Sequence, residues 1–247
     1  MDEQFFWIMA IGFAAQLIDG ALGMAYGITA TSLLLSFGLT PAMASAAVHT
    51  AEVATTGVSG LSHHIARNVD WKVVRTLAIA GSAGGVVGAY LLVTGVGDYL
   101  RPVVSTYLSI MGLILVAKAF GRILPSKPFR YLGSLGFGGG FLDAIGGGGW
   151  GPIVTSMLLI SGQPPNRMIG SSVAAEFFMT VAVTITFASH LDMHAFGMAA
   201  LALVLGGVPA APFAAVLVRI VPGKPLMLVV GLLVVGLGAL GLWRFFF

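Results

Sequence analysis

The scarcity of charged side chains limits what this chain can fold into more than any other feature. Only 9% of its 247 residues are Asp, Glu, Lys or Arg, while 57% are hydrophobic. A soluble domain carries about 25% charged residues, and so few charges could not cover a globular surface in water. Lipid must therefore solvate the apolar surface, which predicts a polytopic membrane protein. A soluble enzyme and a disordered chain are both excluded.

Cysteine content and net charge narrow the chemistry further. The chain has no cysteine, so disulfides, thiolate metal sites and a cysteine nucleophile are ruled out. Its net charge is only +3, and no basic run is dense enough to bind nucleic acid. We therefore expect no cofactor, no bound metal and no nucleic-acid partner, with membrane lipid around the chain. The acidic N-terminus, MDEQFFW, lacks the features of a cleavable signal peptide.

Long apolar stretches predict the membrane helices. Six stretches are long enough to cross a bilayer as single helices, at 41–64, 76–94, 102–117, 166–190, 195–218 and 225–243. Two others, 5–38 and 131–162, are too long for one ordinary span, and each has a Gly-rich centre that contains an Asp. Each of these two predicts a broken helix pair, whose arms either both span the membrane or both re-enter it.

The second half of the chain repeats the first. Residue n resembles residue n + 124 from Ala10 to Thr56, with identities at Pro41 and Pro165 and at two acids (143 − 19 = 124; 176 − 52 = 124). Transporter folds are commonly built from such internal repeats. The repeat predicts a first transmembrane unit at 1–120, a basic cytoplasmic linker at 121–130 and a second transmembrane unit at 131–247.

The positions of the cations indicate how the two units are related. If each unit makes an odd number of crossings, ten cations share one face and only Arg101 and Arg244 lie on the other, which satisfies the positive-inside rule. The expected fold is an all-α membrane protein of two inverted-topology repeats, each a Gly-broken helix pair plus three transmembrane helices, with both termini periplasmic. The ten cations are Arg67, Lys72, Arg75, Lys118, Arg122, Lys127, Arg130, Arg167, Arg219 and Lys224.

Ionisable side chains inside the predicted membrane segments are candidates for function. Such groups are costly at membrane depth and usually face a cavity or a partner. His49 lies one helical turn before Glu52, so the two share a helix face. They form either a hydrogen-bonded contact between helices or a proton relay that also contacts substrate. Val173 replaces His49 in the second repeat, which places the proton chemistry in the first. The four acids are Asp19, Glu52, Asp143 and Glu176.

The Gly-rich centres are where a helix must break. Four successive glycines, 146–149, cannot continue a stable helix, so we expect unwinding there and around Gly23, with helices resuming at 29–36 and 153–160. Each half-helix start would present free backbone N–H groups and the positive end of a helix dipole. Two starts that converge near the midplane would form an anion site. The alternative is that these glycines only permit close helix crossing.

Side chains beside the breaks complete the expected substrate site with His49, Gly23, Gly147 and Gly148. Tyr26 and Trp150 occupy equivalent positions and are expected to line a cavity. Ser171 and Ser172 either donate hydroxyls to an oxyanion or bond to their own helix. Asp19 and Asp143 are expected to cap backbone N–H groups or to carry protons, and with Glu52 and Glu176 to couple or gate transport.

These motifs resemble those of the TauE/SafE family of sulfite and organosulfonate exporters. The resemblance rests on the Gly-Leu-Thr-Pro41 turn, the Asn68-Val-Asp-Trp71 loop, the Gly-Gly-Gly-Gly-Trp-Gly151 break and the Ile-Gly-Ser-Ser172 stretch. It covers nearly the whole chain and implies a bacterial inner-membrane carrier of a small sulfur-containing anion, such as sulfite or sulfoacetate. Because no Walker loop is present, export by alternating access driven by the proton gradient or membrane potential is expected, not ATP.

Two alternative functions stay open at this point. One is a carrier of the same architecture for another small ion, including a metal cation that the acids would bind. The other is an integral-membrane redox or enzyme subunit, which is disfavoured because haem would need a second axial histidine opposite His49. The sequence also leaves open whether the protein is a homodimer.

Overall fold

The computed structural model is entirely helical over the residues it describes, which are 3–22, 24–94, 100–121, 131–159, 165–220 and 223–246. Five helices belong to the first half of the chain: α1 (Glu3–Leu22), α2 (Tyr26–Ser36), α3 (Pro41–Ile65), α4 (Trp71–Thr94) and α5 (Leu100–Ala119). The second half contains α6 (Leu132–Gly146), a π-helical turn (Gly151–Thr155) continued by α7 (Ser156–Leu159), α8 (Pro165–His190), α9 (Met193–Ile220) and α10 (Gly223–Phe246). All six predicted single spans are therefore helices.

The two halves have the same order of elements at the spacing of the sequence repeat. Pro41 and Pro165 each begin a long helix, where a missing N–H costs nothing because the first turn has no intrahelical acceptor. The Thr40 side chain caps the first of these helices by accepting from the backbone N–H of Met43 at 3.3 Å. In each half, a broken helix pair precedes three long helices, as the repeat predicts.

The breaks occur where glycine is most concentrated. α6 ends at Gly146, and the chain then passes through Gly147 and Gly148 with φ values of 64° and 154°. Residues with a side chain rarely adopt such angles, so this stretch of chain depends on glycine. In the first half, Ala25 reaches φ 101° at the start of α2, a strained angle for a residue with a Cβ atom.

Helices from opposite halves interleave instead of forming two separate bundles. The most extensive packing pairs α4 with α6, α1 with α9, and α5 with α10, followed by α4 with α8, α3 with α8, and α3 with α9. If each helix is replaced by its equivalent in the other half (α1 with α6, α2 with α7, α3 with α8, α4 with α9 and α5 with α10), the same set of helix pairs results. Glycines make the approach close: a Cβ at Gly84 would lie 2.0 Å from the Phe137 carbonyl oxygen, and one at Gly12 would lie 2.6 Å from that of Leu203. Small residues serve this purpose in membrane helices.

Length and hydropathy single out the helices that can cross a membrane. Among the described residues, three segments qualify fully: Trp71–Thr94, Pro102–Ala119 and Arg167–His190. Two further apolar segments, Phe196–Ala210 and Gly231–Phe246, are shorter. α3 is long enough to cross a membrane, but one of its faces carries polar side chains that include His49 and Glu52. Both of these side chains are buried within the protein.

Candidate functional site

The two helix breaks meet at the centre of the molecule. A Cβ placed on Gly27 would lie 2.6 Å from the Cα of Gly148, and one on Gly148 would lie 2.2 Å from the backbone nitrogen of Ile28. The hydroxyl of Thr31 donates to the carbonyl of Gly147 at 2.6 Å, which ties the second break to α2. The predicted convergence of the two half-helix starts is therefore observed.

Asp19 and Asp143 cap the half-helices that follow the two breaks. Asp19 Oδ1 accepts from the backbone N–H of Tyr26 at 3.1 Å, and Asp143 Oδ1 accepts from that of Trp150 at 2.8 Å. Both contacts span seven residues and are related by the repeat. A carboxylate at this position satisfies an orphan N–H group and interacts favourably with the helix dipole.

Both half-helices begin earlier in the chain than the sequence predicted. The sequence placed them at Thr29 and Ile153, whereas the helices begin at Tyr26 and Gly151. The capping carboxylates allow helical geometry to begin directly after the glycines. Tyr26 is therefore the first residue of α2, and Trp150 directly precedes the second half-helix.

Backbone donors remain free of intrahelical partners after capping. The first N–H groups of a helix have no acceptor within it, and Gly27, Ile28 and Gly151 all lie on the wall of the central cavity. The aspartate caps offset part of the positive charge at both helix ends. These uncapped N–H groups are the backbone donors that an anion at the breaks would meet.

His49 pairs with Asp143 and not with Glu52. Its Nε2 atom lies 2.9 Å from Asp143 Oδ2, and both side chains are buried. The other ring nitrogen, Nδ1, lies 2.8 Å from the carbonyl of Ser45. The hydroxyl of Ser45 in turn donates to the carbonyl of Ala144 at 2.6 Å. The pair thus joins α3 to the second break, and the expectation of a direct His49–Glu52 contact gives way to a contact between the two repeats.

The repeat-related pair does not form. Val173 takes the place of His49 on α8, so Asp19 has no imidazole partner there. Val173 and Asp19 both lie on the cavity wall. Of their counterparts, Asp143 also lies on that wall but is paired with His49, and both of those side chains are buried. The sequence asymmetry at residue 173 therefore coincides with a structural asymmetry between the two breaks.

A central cavity of about 760 Å³ brings most of the expected site residues together. It runs from the breaks along α3 to its end, where Ser62, His63, Ala66 and Asn68 contribute to the wall. Of the expected residues, Asp19, Tyr26, Glu52, Asp143, Gly148, Trp150 and Glu176 line it. Gly147 lies beside it against Thr31, and Gly23 lies outside the described residues.

Glu52 and Glu176 line the cavity, and neither Lys nor Arg is found among the described residues of its wall. The bases near them are histidines: His63 also lines the cavity, and ligand atoms of His49 and Glu52 lie within 4.8 Å of each other. Glu52 Oε2 is buried with no hydrogen-bond partner in the described part of the chain. An isolated carboxylate in a low-dielectric interior is unfavourable, so such a group binds a proton or a cation or moves to a partner.

Ser171 and Ser172 face structural partners and do not line the cavity. Ser171 Oγ accepts from the backbone N–H of Asp70 at 2.8 Å and so holds the loop between α3 and α4. Ser172 Oγ accepts from the indole N–H of Trp150 at 3.1 Å and lies 2.7 Å from Thr155 Oγ1. Both hydroxyls already have partners in this conformation.

Three potential metal ligands also come together at the inner end of the cavity. Ligand atoms of His49, Glu52 and Asp143 all lie within 4.8 Å of one another. An imidazole with two carboxylates is a donor set that divalent transition metals accept. The sequence did not predict this group, because Asp143 is brought to it from the other half of the chain.

Sequence reasoning missed two residues that hold the second break in place. The phenol of Tyr107 on α5 donates to the carbonyl of Gly148 at 2.9 Å, and Thr31 donates to Gly147 as described above. Thr31 is identical to its repeat equivalent, Thr155, which was a usable signal. Nothing in the sequence around Tyr107 marked its contact with the break.

Comparison with known proteins places these features in a family context. Residues 8–245 match the family model described as sulfite exporter TauE/SafE. The chain is also 42% identical over 218 residues to a probable membrane transporter protein, YtnM, of Bacillus subtilis (strain 168), covering 85% of this chain and 73% of the relative. No solved structure matches the chain significantly.

Proposed function

Because this chain belongs to the TauE/SafE family of membrane transporters, we propose that it exports sulfite or a small organosulfonate such as sulfoacetate. It is a transporter and not an enzyme, and the anion is bound where the two helix breaks meet. The observation that carries the proposal is the convergence of both half-helix starts on one cavity, at Gly27 and Gly148.

The anion is bound chiefly by backbone groups. Uncapped N–H groups of Gly27, Ile28 and Gly151 supply donors, and the two helix dipoles add positive potential. Tyr26 and Trp150 form part of the wall. A cavity of about 760 Å³ is much larger than sulfite, so the anion retains part of its hydration shell or carries an organic group.

The two halves are proposed to be inverted repeats in a bacterial inner membrane. Helix pairing that is unchanged when the halves are exchanged supports a two-fold relation. Arg67 lies in the loop directly after α3, and the start of α4 carries Lys72 and Arg75, so the positive-inside rule puts the cavity mouth in the cytoplasm. Units 1–120 and 131–247 would then rock about the site in alternating access.

This orientation predicts a periplasmic C-terminus. Fusing alkaline phosphatase to Phe247 should give an active enzyme, because that reporter folds only in the oxidising periplasm. Green fluorescent protein fused to the same position should give little fluorescence, because it does not become fluorescent when the general secretory route carries it to the periplasm. A fluorescent C-terminal fusion with inactive phosphatase would reject the orientation.

Coupling to a proton gradient or the membrane potential follows from the buried acids. An anion cannot share this cavity with four carboxylates unless some of them are neutralised. Proton uptake at Glu52 or Glu176 achieves this, and a proton on His49 would offset the charge of Asp143, whose Oδ2 lies 2.9 Å from His49 Nε2. Protonation and anion binding would then be linked, because each favours the other electrostatically.

The coupling role predicts a specific defect in the E52Q variant. In proteoliposomes loaded with sulfite, wild-type efflux should accelerate when a pH gradient is imposed. E52Q should lose this acceleration, because glutamine keeps the size of the side chain but cannot bind or release the proton. Sulfite exchange at equal pH should persist.

The S59A variant serves as the matched control, since Ser59 lines the same cavity on the same helix without an ionisable group. It should keep the response to the pH gradient. A wild-type response in E52Q would leave Glu52 without a coupling role.

A second candidate function is a carrier for a small cation. The approach of His49, Glu52 and Asp143 to within 4.8 Å favours it. Thermal-shift measurements on purified protein with sulfite, sulfoacetate, taurine, sulfate and divalent metal ions discriminate between the two. Stabilisation by sulfite or a sulfonate supports the anion carrier, whereas stabilisation by a divalent metal alone supports the cation carrier.

A further inference from the structure

The helix face that lines the cavity has an apolar counterpart in the other repeat. On α3, a ladder of Thr55, Ser59, Ser62 and His63 follows the cavity to its mouth. Adding 124 to these numbers gives Met179, Val183, Thr186 and Phe187 on α8. The same position in the fold is therefore polar and open in one repeat and mostly apolar in the other.

The apolar face is closed by close packing. Met179, Val183 and Phe187 have no exposed surface. A Cβ added at Gly85 of α4 would lie 2.6 Å from Val183 Cγ2 and 3.3 Å from Met179 Sδ, so the absence of a side chain at Gly85 admits both. The Phe187 ring lies 6.1 Å from the His49 ring, centroid to centroid. These three side chains are called the α8 seal below.

The helix packing also differs between the repeats, and it is more extensive on the apolar side. Exchanging the halves converts the α4–α8 contact into the α9–α3 contact. α8 packs against α4 more extensively than α3 packs against α9. The cavity lies where the packing is weaker, with Val208 of α9 and Thr55 of α3 on its wall. Two halves with the same fold permit two such arrangements: one with the cavity between α3 and α9, and one with it between α8 and α4. The described state is the first of these.

We infer that the buried face of α8 is the second half of the substrate path, and that the α8 seal is the gate that closes it. This inference rests on the proposed transport function. In the alternative state, α8 separates from α4 while α3 closes onto α9. The anion then leaves past Met179, Val183 and Phe187 on the side of the membrane opposite the present mouth. The His49–Asp143 pair lies at the inner end of this path, next to Phe187.

Single-cysteine labelling tests the gate directly, because the chain contains no native cysteine. The S59C and V183C variants are treated with a membrane-impermeant maleimide in inside-out and right-side-out vesicles. S59C should react from the side of the present cavity mouth. V183C should react only from the opposite side, and slowly, because the open state is a minor population.

A wedge at Gly85 should shift this balance. The G85A change places a methyl group against Val183 and Met179, which weakens the seal. In the G85A background, T186C labelling from the opposite side should rise about tenfold, as expected when a minor state of about 10% or less becomes the major one; T186C is the reporter here because it keeps Val183 in place against the added methyl group. S59C labelling should fall. G138A is the matched control, since a Cβ at Gly138 meets no atom within 4 Å, and it should change neither rate.

The outcomes separate the gate from the substrate assignment. If V183C misfolds, T186C reports on the same face. Retained sulfite efflux with V183C and T186C unreactive from the opposite side in every background, or reactive from the same side as S59C, overturns the gate. A G85A-dependent rise in T186C labelling without sulfite efflux supports the gate and rejects sulfite as the substrate.

Discussion

Replacing Gly148 with alanine is expected to reduce the yield of folded protein sharply. Gly148 has a φ of 154°, which is accessible almost only to glycine. A Cβ there would lie 2.2 Å from the Ile28 nitrogen and 2.3 Å from the Gly27 carbonyl carbon. Both are backbone atoms of the opposing half-helix, so no side-chain rotation relieves the overlap. Backbone strain of about 1–3 kcal/mol and overpacking of about 1–3 kcal/mol together remove much of a typical stability of about 5–15 kcal/mol.

The measurement is the yield of monodisperse protein after detergent extraction, followed by size-exclusion chromatography. G138A is again the control, because Gly138 lies in the α6 helix with no atom near its Cβ position. That variant should be as stable as the wild type or more so, since alanine is favoured over glycine in helices by roughly 0.5–1 kcal/mol. Equal yields of G148A and G138A would show that the breaks do not touch as described.

The existence and position of the breaks could be predicted from sequence because they follow from local chain properties. Four successive glycines cannot hold a helix, and the repeat transferred the inference from 146–149 to the region of Gly23. The starts of the half-helices could not be predicted, because they depend on Asp19 and Asp143 reaching a backbone N–H seven residues away. That contact forms only once the chain has turned back at the break.

The partner of His49 was beyond sequence reasoning for a related reason. Glu52 is close in sequence and on the same helix face, but Asp143 is separated from His49 by 94 residues and belongs to the other repeat. Which groups meet across an interface depends on helix packing, which periodicity does not determine. The sequence did show that Val173 breaks the equivalence of the two repeats, and the structure adds that the cavity opens on the Val173 side.

The two repeat-related aspartates, Asp19 and Asp143, have different surroundings. Asp143 is buried and paired with His49, while Asp19, its repeat equivalent, has Val173 in place of that histidine. Both aspartates line the cavity, as do Glu52 and Glu176. The two repeat-related carboxylates therefore differ in whether an imidazole lies beside them. In the proposed transport cycle, this difference lets a proton or a bound ion alter the balance between the two states.

The D143A variant is expected to lose more stability than D19A, and the difference measures the buried pair. D19A removes one cap, which costs about 1 kcal/mol. D143A removes the equivalent cap and also leaves the buried Nε2 of His49 without its partner, which costs about 1–3 kcal/mol more. At about 2–4 °C per kcal/mol, the melting temperature of D143A in detergent should lie roughly 2–12 °C below that of D19A.

The double variant H49V/D143A separates the two contributions. Valine is the residue that the second repeat carries at this position, so the fold already accommodates it at the equivalent site on α8. Removing both partners of a buried polar contact costs less than removing one, and H49V/D143A should therefore recover most of the difference from D19A. Equal melting temperatures for D143A and D19A would show that His49 finds another partner, with Glu52 the nearest carboxylate available on its own helix face.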